Sequence, residues 1–447
     1  MTHRVAALVA ALVVGVPDAP PAQTPVQACG AASLLIRDVD VWTPNGLLPG
    51  RDVLIRDGRI ATVGATGSIA AAGAEILEGR DHSLLPGLID THVHFVVPGG
   101  LAARVAPARE ASAITGRQLL RSGVTAGRLH LASLEEAARL EARGDSACHP
   151  MPRLQVGGPG FGGAATADQP QLWRVANLEE ADAKVKRVAD AGLQWLAVHE
   201  AARFAPGVLD AIVAAARRHG VRVMGAGTRT EDVRAMLAAG PDTLDYVDTT
   251  VAAYSGDVLR TIAAQRDLTL APTVGIHERR RAYLASPPLV EAPANFTFFQ
   301  PAEQAFVLAT ARSDLAKDPS VLEAPQVFAA LRTTLRQLRA TGTPLSIASD
   351  TGSPLHFQGD AIWWELEAWR RLGVPHRAVL MAATAGGARV LRGMDVGRLE
   401  PGAIADFVLY RGHAERGGFE ARRVRAVGKA GVLHVRDGQW IEREPLQ

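Results

Sequence analysis

The sequence is poor in cysteine, and its charges nearly cancel. Two cysteines among 447 residues, Cys29 and Cys148, permit at most one disulfide and exclude a disulfide framework. Neither lies in a spacing typical of a metal site. Lysine and arginine total 48 against 46 aspartates and glutamates, so no net charge attracts nucleic acid or an anionic membrane surface. We therefore expect neither as a partner.

Apolar runs of transmembrane length are also lacking. The run from Val5 to Val16 follows a basic start and precedes a segment rich in proline and alanine, a pattern typical of a secretory signal. Val26-Gln27-Ala28 fits a cleavage site. We expect residues 1–28 to form a leader and the protein to be exported to the periplasm or secreted. A disordered tail on a cytoplasmic protein and a lipid anchor at Cys29 are the alternatives.

Both ends of the chain carry a pattern of short alternating strands. "ASLLIRDVDVWTPNG" and "DVLIRDGRIATVG" predict strands with a hairpin turn at Asp57-Gly58. The pattern returns at the other end in "ADFVLYRG" and "VRAVGKAGVLHVRDGQWI", where Asp437-Gly438 predicts a second hairpin. We expect residues 32–83 and 393–443 to form one small β domain together.

The middle of the chain repeats an apolar strand followed by an amphipathic helix. The helix "PGVLDAIVAAARRHG", for example, has a proline near its start and a glycine at its end, and the strand "GVRVMGA" follows it. About eight such units favour a (β/α)8 barrel. A doubly wound sheet is the structural alternative, but no glycine-rich phosphate motif follows the first strand.

One connection between a strand and a helix in this middle part is much longer than the others. After "LTLAPTVG", residues at about 276–325 intervene before the last long helix, and we expect a long loop on the active-site face of a barrel. Such a loop is either a lid or substrate wall, or an insertion without function.

The stretch "PGLIDTHVHF" predicts a buried strand that ends in two histidines. Because side chains two residues apart on a strand point to the same side, Asp90, His92 and His94 should all face the barrel interior. Two neutral imidazoles in this arrangement can hold one divalent metal. Alone, the pair is equally compatible with histidines that pack or hydrogen-bond within a core.

Three stretches together resemble the metal-dependent amidohydrolase superfamily, in particular its imidazolonepropionase and prolidase-like branch. They are "LLPGLIDTHVHF", "ASDTGSP" and "LMAATAGGARVLRGMDVGRLEPGAIADFVLY". The resemblance covers nearly the whole chain after the leader. It implies an α/β fold: a (β/α)8 barrel over residues 84–392 and a small β-sandwich formed by both chain ends.

The resemblance also implies a set of metal ligands. Family members hold one or two metals with a first-strand His-x-His pair, a carboxylated lysine on the fourth strand, histidines on the fifth and sixth, and an aspartate on the eighth. His92, His94 and Asp350 match the first and last elements. Ala197 stands at the lysine position, and Ala226 and Tyr246 stand at the two histidine positions.

This degenerate pattern predicts at most one metal. The chain has four lysines, Lys184, Lys186, Lys317 and Lys429. We expect none of them near the carboxyl end of a strand, so no carboxylated lysine is expected to bridge two metals in the barrel. What remains is one divalent metal, zinc in the first place, held by His92, His94 and Asp350 with an open side for water. A site that binds no metal is the alternative.

The resemblance gives Asp350 a second role, as the base that takes a proton from water. Two residues beyond two replaced positions lie His199 and Asp248, which are candidates for a ligand or base, or for hydrogen-bonded structural groups. Tyr246 either donates to a substrate oxyanion or closes the barrel core. The remaining histidines divide into pocket candidates, His130, His277 and His356, and structural candidates, His219, His376 and His434.

Three functions follow from this pattern. The first is a metal-dependent hydrolase that cleaves an amide, cyclic amide or dipeptide C–N bond in a small molecule, with Asp350 and His199 as catalytic residues. The second is a non-catalytic binding or scaffold protein of the same fold. The third is a metal-free enzyme that uses Asp350 with His199 or Tyr246 as an acid and base. The metal content of the purified protein is the most useful observation for separating the first function from the other two. A small-molecule substrate is the expected partner, and a homo-oligomer is an open alternative to a monomer.

Overall fold

The computed structural model of the chain describes residues 33–71, 73–95, 108–144, 146–287, 291, 296–352 and 356–442. The expected leader, residues 1–28, and Cys29 lie outside these ranges. Within them, no helix has both the length and the apolar character required to cross a membrane.

The strands are β1 (Leu34–Thr43), β2 (Gly46–Arg56), β3 (Arg59–Ala65), β4 (Glu75–Glu78), β5 (His82–Pro86), β6 (Leu88–Val93), β7 (Val124–Leu129), β8 (Arg153–Val156), β9 (Gly160–Gly162), β10 (Leu172–Arg174), β11 (Trp195–Val198), β12 (Arg222–Ala226), β13 (Thr243–Asp245), β14 (Thr269–Ala271), β15 (Phe407–Arg411), β16 (Val424–Lys429), β17 (Val432–Arg436) and β18 (Gln439–Trp440). The helices are α1 (Ala108–Arg121), α2 (Leu134–Gly144), α3 (Leu178–Asp190), α4 (Val208–Arg218), α5 (Thr230–Ala239), α6 (Gly256–Ala264), α7 (Gly275–Ala285), α8 (Pro301–Lys317), α9 (Pro319–Ala340), α10 (Ala361–Arg371), α11 (His376–Met381) and α12 (Gly387–Val390). A π-helical turn, Ala382–Gly386, joins the last two helices.

Both chain ends meet in one mixed sheet, as the sequence predicts. Its order is β18-β17-β16-β15-β5-β1-β2-β3, with β4 beside β1. Within this sheet, the antiparallel pairing of β15 with β5 joins the strands of the two ends. The described strands of the two ends thus belong to one hydrogen-bonded sheet of nine strands.

The two predicted hairpin turns are confirmed. Asp57 and Gly58, with φ of 50° and 73°, connect antiparallel strands β2 and β3. Asp437 and Gly438, with φ of 53° and 77°, connect β17 and β18. Two successive positive φ angles fit the right-handed twist of a hairpin, and an Asp-Gly pair adopts them at low cost.

The middle of the chain forms two parallel sheets covered by helices. The sheet orders are β6-β7-β8 and β10-β9-β11-β12-β13-β14. Single parallel bridges, Gly157 with Trp195, Leu270 with Leu345 and Val93 with Thr351, join the sheets to each other and to the segment 344–351. The arrangement is TIM-barrel-like.

The segment 344–351, predicted as the eighth strand, is extended but is not a regular strand. Its backbone bonds alternate between different partners: Ile347 donates to the carbonyl of Ala382 at 3.2 Å, whereas Ser349 donates to the carboxylate of Asp90 at 2.9 Å. Because a helix and a side chain take amides that a neighbouring strand would otherwise bind, the ladder is interrupted. Asp350 therefore follows an irregular segment.

The expectation of a long loop at about 276–325 is wrong, since most of its described residues lie in α7, α8 and α9. Two prolines of this range, Pro301 and Pro319, are the first residues of α8 and α9, because proline suits the first helical turn. Glu303 accepts a hydrogen bond from the Gln300 amide at 2.7 Å where α8 begins, and Asp318 accepts one from Ser320 where α9 begins. The buried face of α8 joins a separate apolar cluster that includes Phe296, Phe299 and Phe357.

Two adjacent glycines, Gly386 and Gly387, press the end of the π-helical turn against the strands that carry the histidine pair and Asp350. A Cβ at Gly387 would lie 2.5 Å from Cβ of Ile89 on β6, and one at Gly386 would overlap the carbonyl oxygen of Leu345. Both glycines have helical φ angles, so space rather than conformation demands glycine here. This close approach fixes β6 and the segment 344–351 relative to each other.

We predict that Gly386→Ala lowers the free energy of unfolding by roughly 1–3 kcal/mol through overpacking. Helix propensity alone predicts the opposite sign, a gain of roughly 0.5–1 kcal/mol. The control is Gly359→Ala, whose Cβ would meet its nearest atoms at 3.9 Å. Chemical denaturation of both variants checks this, and equal stabilities would contradict it.

Candidate active site

The predicted ligands lie at the carboxyl ends of two adjoining segments. His92 and His94 come at the end of β6, and Asp350 ends the extended part of the segment 344–351. The amide of Asp350 donates to the carbonyl of His92 at 3.0 Å, and the amide of His94 donates to the carbonyl of Thr351 at 3.3 Å. These bonds hold the three side chains at a common level of the sheet.

The structure brings the three predicted ligands together. His94 Nε2 lies 3.1 Å from Asp350 Oδ1, and His92 Nε2 lies 3.5 Å from the same oxygen. One donor atom of each side chain lies within 4.8 Å of the other two. His92 is fully buried, whereas the Asp350 side chain is 16% exposed. The group therefore has a closed side and a side open to solvent.

Asp350 is ionised in this setting. Burial acts to raise its pKa, but the hydrogen bond from His94 and the nearby imidazoles His92, His94 and His356 outweigh burial and lower the pKa to about 2. Two imidazoles and one carboxylate that faces them are donors of the kind that zinc and similar cations bind. The residues present therefore fit a divalent metal.

Tyr246 also belongs to this group. It directly follows β13, and its hydroxyl lies 3.1 Å from His92 Nε2 and 3.2 Å from Asp350 Oδ1. Its φ of 68° is unusual for a bulky residue. The phenol hydroxyl thus contacts two of the three candidate ligands, His92 and Asp350.

Two further predicted residues, His199 and His130, extend the group into a row of imidazoles. The His130 ring lies 4.2 Å from that of His92 and 5.3 Å from that of His199, measured between centroids. Burial, together with the neighbouring imidazoles, lowers the pKa of His199 to about 4 and holds that of His130 well below its usual range. Both rings are neutral at pH 7, and their buried Nε2 atoms have no hydrogen-bond partner among the described residues.

Sequence reasoning missed the groups that hold His92 in place. Asp245, at the end of β13, accepts a hydrogen bond from His92 Nδ1 at 2.8 Å, and both side chains are fully buried. Arg128 on β7 pairs with the same carboxylate, donates to the Thr243 hydroxyl at 2.8 Å and stacks over the Trp195 ring. Arg128 and His92 together lower the pKa of Asp245 despite its burial, which acts to raise it.

A signal for this pair was present in the sequence. Arg128 and Asp245 are charged residues within predicted buried strands, in "GVTAGRL" and "DTLDYV". A charge inside a buried strand requires an opposite charge nearby. Matching these two charges would have predicted the ion pair.

Other predicted residues lie outside the group. Asp248 accepts hydrogen bonds from the backbone and hydroxyl groups of Thr230 and Thr250, so it shapes the start of α5 and is structural. His356 is fully buried and hydrogen-bonded to the Ser349 carbonyl. His219 ends α4 as predicted. His376 and His434, expected to be structural, contact the backbone carbonyls of Gly417 and Ala147.

The replaced positions are apolar where the sequence has alanine. Ala197 packs with Trp195 and Met224 in a small buried cluster, and Ala226 is buried at the end of β12. The expectation that no lysine ends a strand needs correction: Lys429 is the last residue of β16. That strand belongs to the mixed sheet, and the Lys429 ammonium donates to the Met151 carbonyl at 2.6 Å.

A cavity of about 530 Å³ lies elsewhere, at the amino ends of β12, β13 and β14. Arg222, Asp242 and Leu268 are among its lining residues. None of the clustered histidines, Tyr246 or Asp350 contributes to it. In folds of this kind reactions occur at the carboxyl ends of the strands, so the imidazole cluster is the better candidate.

Comparison with known proteins agrees with this geometry. The amidohydrolase family model matches residues 83–431. The chain belongs to the amidohydrolase family. Membership assigns it to the hydrolases that act on carbon–nitrogen bonds, as the resemblance implied.

Individual amidohydrolases cover most of the chain. The imidazolonepropionase of Anaeromyxobacter dehalogenans (strain 2CP-C) is 26% identical over 401 residues, which span 85% of this chain and 90% of the relative. A putative prolidase from Bifidobacterium longum has the same fold, with a TM-score of 0.68, 21% identity and coverage of 91% and 95% of the two chains. A Xaa-Pro dipeptidase with bound methionine in the active site gives a TM-score of 0.69 at 20% identity, covering 90% and 100%.

We predict that Asp245→Asn lowers the free energy of unfolding by roughly 3–5 kcal/mol, because it leaves the buried Arg128 charge without a partner. The control is Asp190→Asn, which removes an exposed ion pair with Lys186 and should change stability by about 0.5 kcal/mol or less. Denaturant unfolding of the two variants provides the comparison. A small effect for Asp245→Asn would contradict the role assigned to this carboxylate.

Proposed function

We propose that the protein hydrolyses an amide, cyclic amide or dipeptide C–N bond in a small molecule by means of one metal-activated water. The observation that carries this proposal is the convergence of His92, His94 and Asp350 donor atoms within 4.8 Å at the carboxyl ends of parallel strands. The names of the similar proteins, an imidazolonepropionase, a putative prolidase and a Xaa-Pro dipeptidase, support a cyclic amide or a dipeptide as substrate.

We place the site in a closed (β/α)8 barrel over residues 84–392, beside a β-sandwich domain of residues 32–83 and 393–443. The three single parallel bridges support closure, because they join the end of β8 to β11, β14 to the segment 344–351, and that segment to β6. In such a barrel the loops at the carboxyl ends of the strands form the substrate pocket.

The metal would be held by His92 Nε2, His94 Nε2 and an Asp350 oxygen. A divalent cation bound there, zinc in the first place, supplies a Lewis acid that brings the pKa of a water down towards about 7. Asp245 prepares His92 for this role, since its hydrogen bond fixes the proton on Nδ1 and leaves the Nε2 lone pair to face Asp350.

The other residues move protons. We assign to Asp350, which stays ionised, the acceptance of a proton from the attacking water. The proton that Asp350 accepts then passes to the leaving amine. We assign to His199 the role of an additional base, because its ring is neutral at pH 7 and its Nε2 has no hydrogen-bond partner among the described residues. Both groups lie on the open side of the cluster, since Asp350 and His199 retain partial exposure.

Metal content and activity test this proposal together. Purified protein should contain about one zinc per chain, hydrolyse members of a panel of cyclic amides and dipeptides, lose that activity with a chelator and regain it with zinc. The double variant His92→Ala, His94→Ala should bind no zinc and show no hydrolysis. His219→Ala, at the end of a surface helix, is the control and should match the wild type.

Two results would reject it. Full hydrolysis without metal would support the metal-free acid and base mechanism. Protein that binds ligands from the panel, contains no metal and hydrolyses none of them would support the non-catalytic alternative.

We also propose that the protein is exported. The signal-like N-terminus supports this, as does a disulfide at Cys148, because disulfides persist in oxidising compartments. N-terminal sequencing of protein from fractionated cells should find a chain that starts close after Ala28 in the periplasmic or secreted fraction. An intact N-terminus in the cytoplasmic fraction would contradict export.

A further inference from the structure

Three donor atoms of the site form a compact triangle that includes a residue outside the expected ligand set. The Tyr246 hydroxyl lies 3.1 Å from His92 Nε2 and 3.2 Å from Asp350 Oδ1, and these two atoms lie 3.5 Å apart. Ligands about 2.0–2.1 Å from a tetrahedral zinc ion lie about 3.3–3.4 Å from one another. The triangle therefore has the dimensions of one face of a coordination shell.

Hydrogen bonding alone does not account for these contacts. His92 Nδ1 is bonded to the carboxylate of Asp245, so the proton of the neutral imidazole is on Nδ1 and Nε2 has a lone pair. The phenol has a single proton for two acceptors, His92 Nε2 and Asp350 Oδ1. Donation to either one leaves the phenol oxygen facing the lone pairs of the other, whereas a cation between the three atoms satisfies all of them.

Two consecutive residues at the end of β13 contact the two ring nitrogens of the His92 imidazole. Asp245 contacts Nδ1 of His92, and the next residue, Tyr246, contacts Nε2. Consecutive strand residues normally point to opposite faces. Here the positive φ of Tyr246, 68°, turns its side chain back to the same imidazole. Such strain in a non-glycine residue persists where the surrounding structure enforces it, which is common at functional sites.

We propose that the phenol oxygen of Tyr246 is a fourth protein ligand of the metal, together with His92, His94 and Asp350. This inference rests on the proposed function, since it requires that the site binds a metal. Binding of a cation by this oxygen would break the phenol O–H bond, and the proton would pass to solvent. The side chain at the replaced sixth-strand position then supplies an anionic oxygen in place of an imidazole nitrogen.

Zinc affinity of the full-length protein tests the assignment, measured by competition with a chromophoric chelator. Tyr246→Phe should weaken zinc binding at least tenfold, because it removes one ligand and leaves the ring. The matched control is Tyr254→Phe, whose buried hydroxyl accepts a hydrogen bond from the Asp248 amide, and its affinity should stay within twofold of wild type. Tyr246→His, which offers a nitrogen ligand in place of the phenol oxygen, should bind zinc more tightly than Tyr246→Phe. This variant replaces Tyr246→Phe in the test if the phenylalanine variant folds poorly.

A spectroscopic signature separates a ligand from a hydrogen-bonding group. Zinc added to the metal-free wild type should produce the ultraviolet difference spectrum of one ionised phenol per zinc, and Tyr246→Phe should lack it. Unchanged or tighter zinc binding in Tyr246→Phe, without that spectrum in the wild type, would overturn the inference. If zinc binding is then still lost in the His92→Ala, His94→Ala variant, the proposed function stands. A wild type that binds no zinc would overturn both.

Discussion

The site depends on one buried hydrogen bond, from His92 Nδ1 to the carboxylate of Asp245. It fixes the tautomer of His92, so that Nε2 faces Asp350 and Tyr246. Without a partner, the buried carboxylate of Asp245 would destabilise the folded state. The guanidinium of Arg128 on β7 forms an ion pair with it and balances its charge. The ion pair therefore stabilises the orientation of an imidazole as well as the fold.

A second constraint is the distance between β6 and the segment 344–351, which supply ligands from chain positions about 256 residues apart. Backbone bonds join the two segments directly, and Gly386 and Gly387 let the π-helical turn pack against both. The same region leads into β15, which pairs with β5 just before β6 begins. The two chain ends are thus coupled to the ligand geometry through adjoining strands and one helical turn.

The features that could be predicted from the sequence are those encoded in short motifs. His92 and Asp350 lie in local patterns whose spacing and resemblance identify them, and the hairpins follow from Asp-Gly pairs. Asp245 was missed because its partner is remote in sequence and burial of an ion pair leaves no periodic signal. The direction of Tyr246 depends on a positive φ that strand alternation does not predict. The segment 276–325 was misassigned because the length of the connection was taken to indicate a loop, and the possible helix starts at Pro301 and Pro319 were not considered.

We propose that one metal is bound where the side chains of β6, the segment 344–351 and the end of β13 converge. Anomalous diffraction from crystals of the zinc-loaded protein, recorded on both sides of the zinc absorption edge, tests this most directly. We predict one peak per chain, within about 2.0–2.3 Å of donor atoms of His92, His94 and Asp350. No peak at this position, or two peaks, would contradict the account.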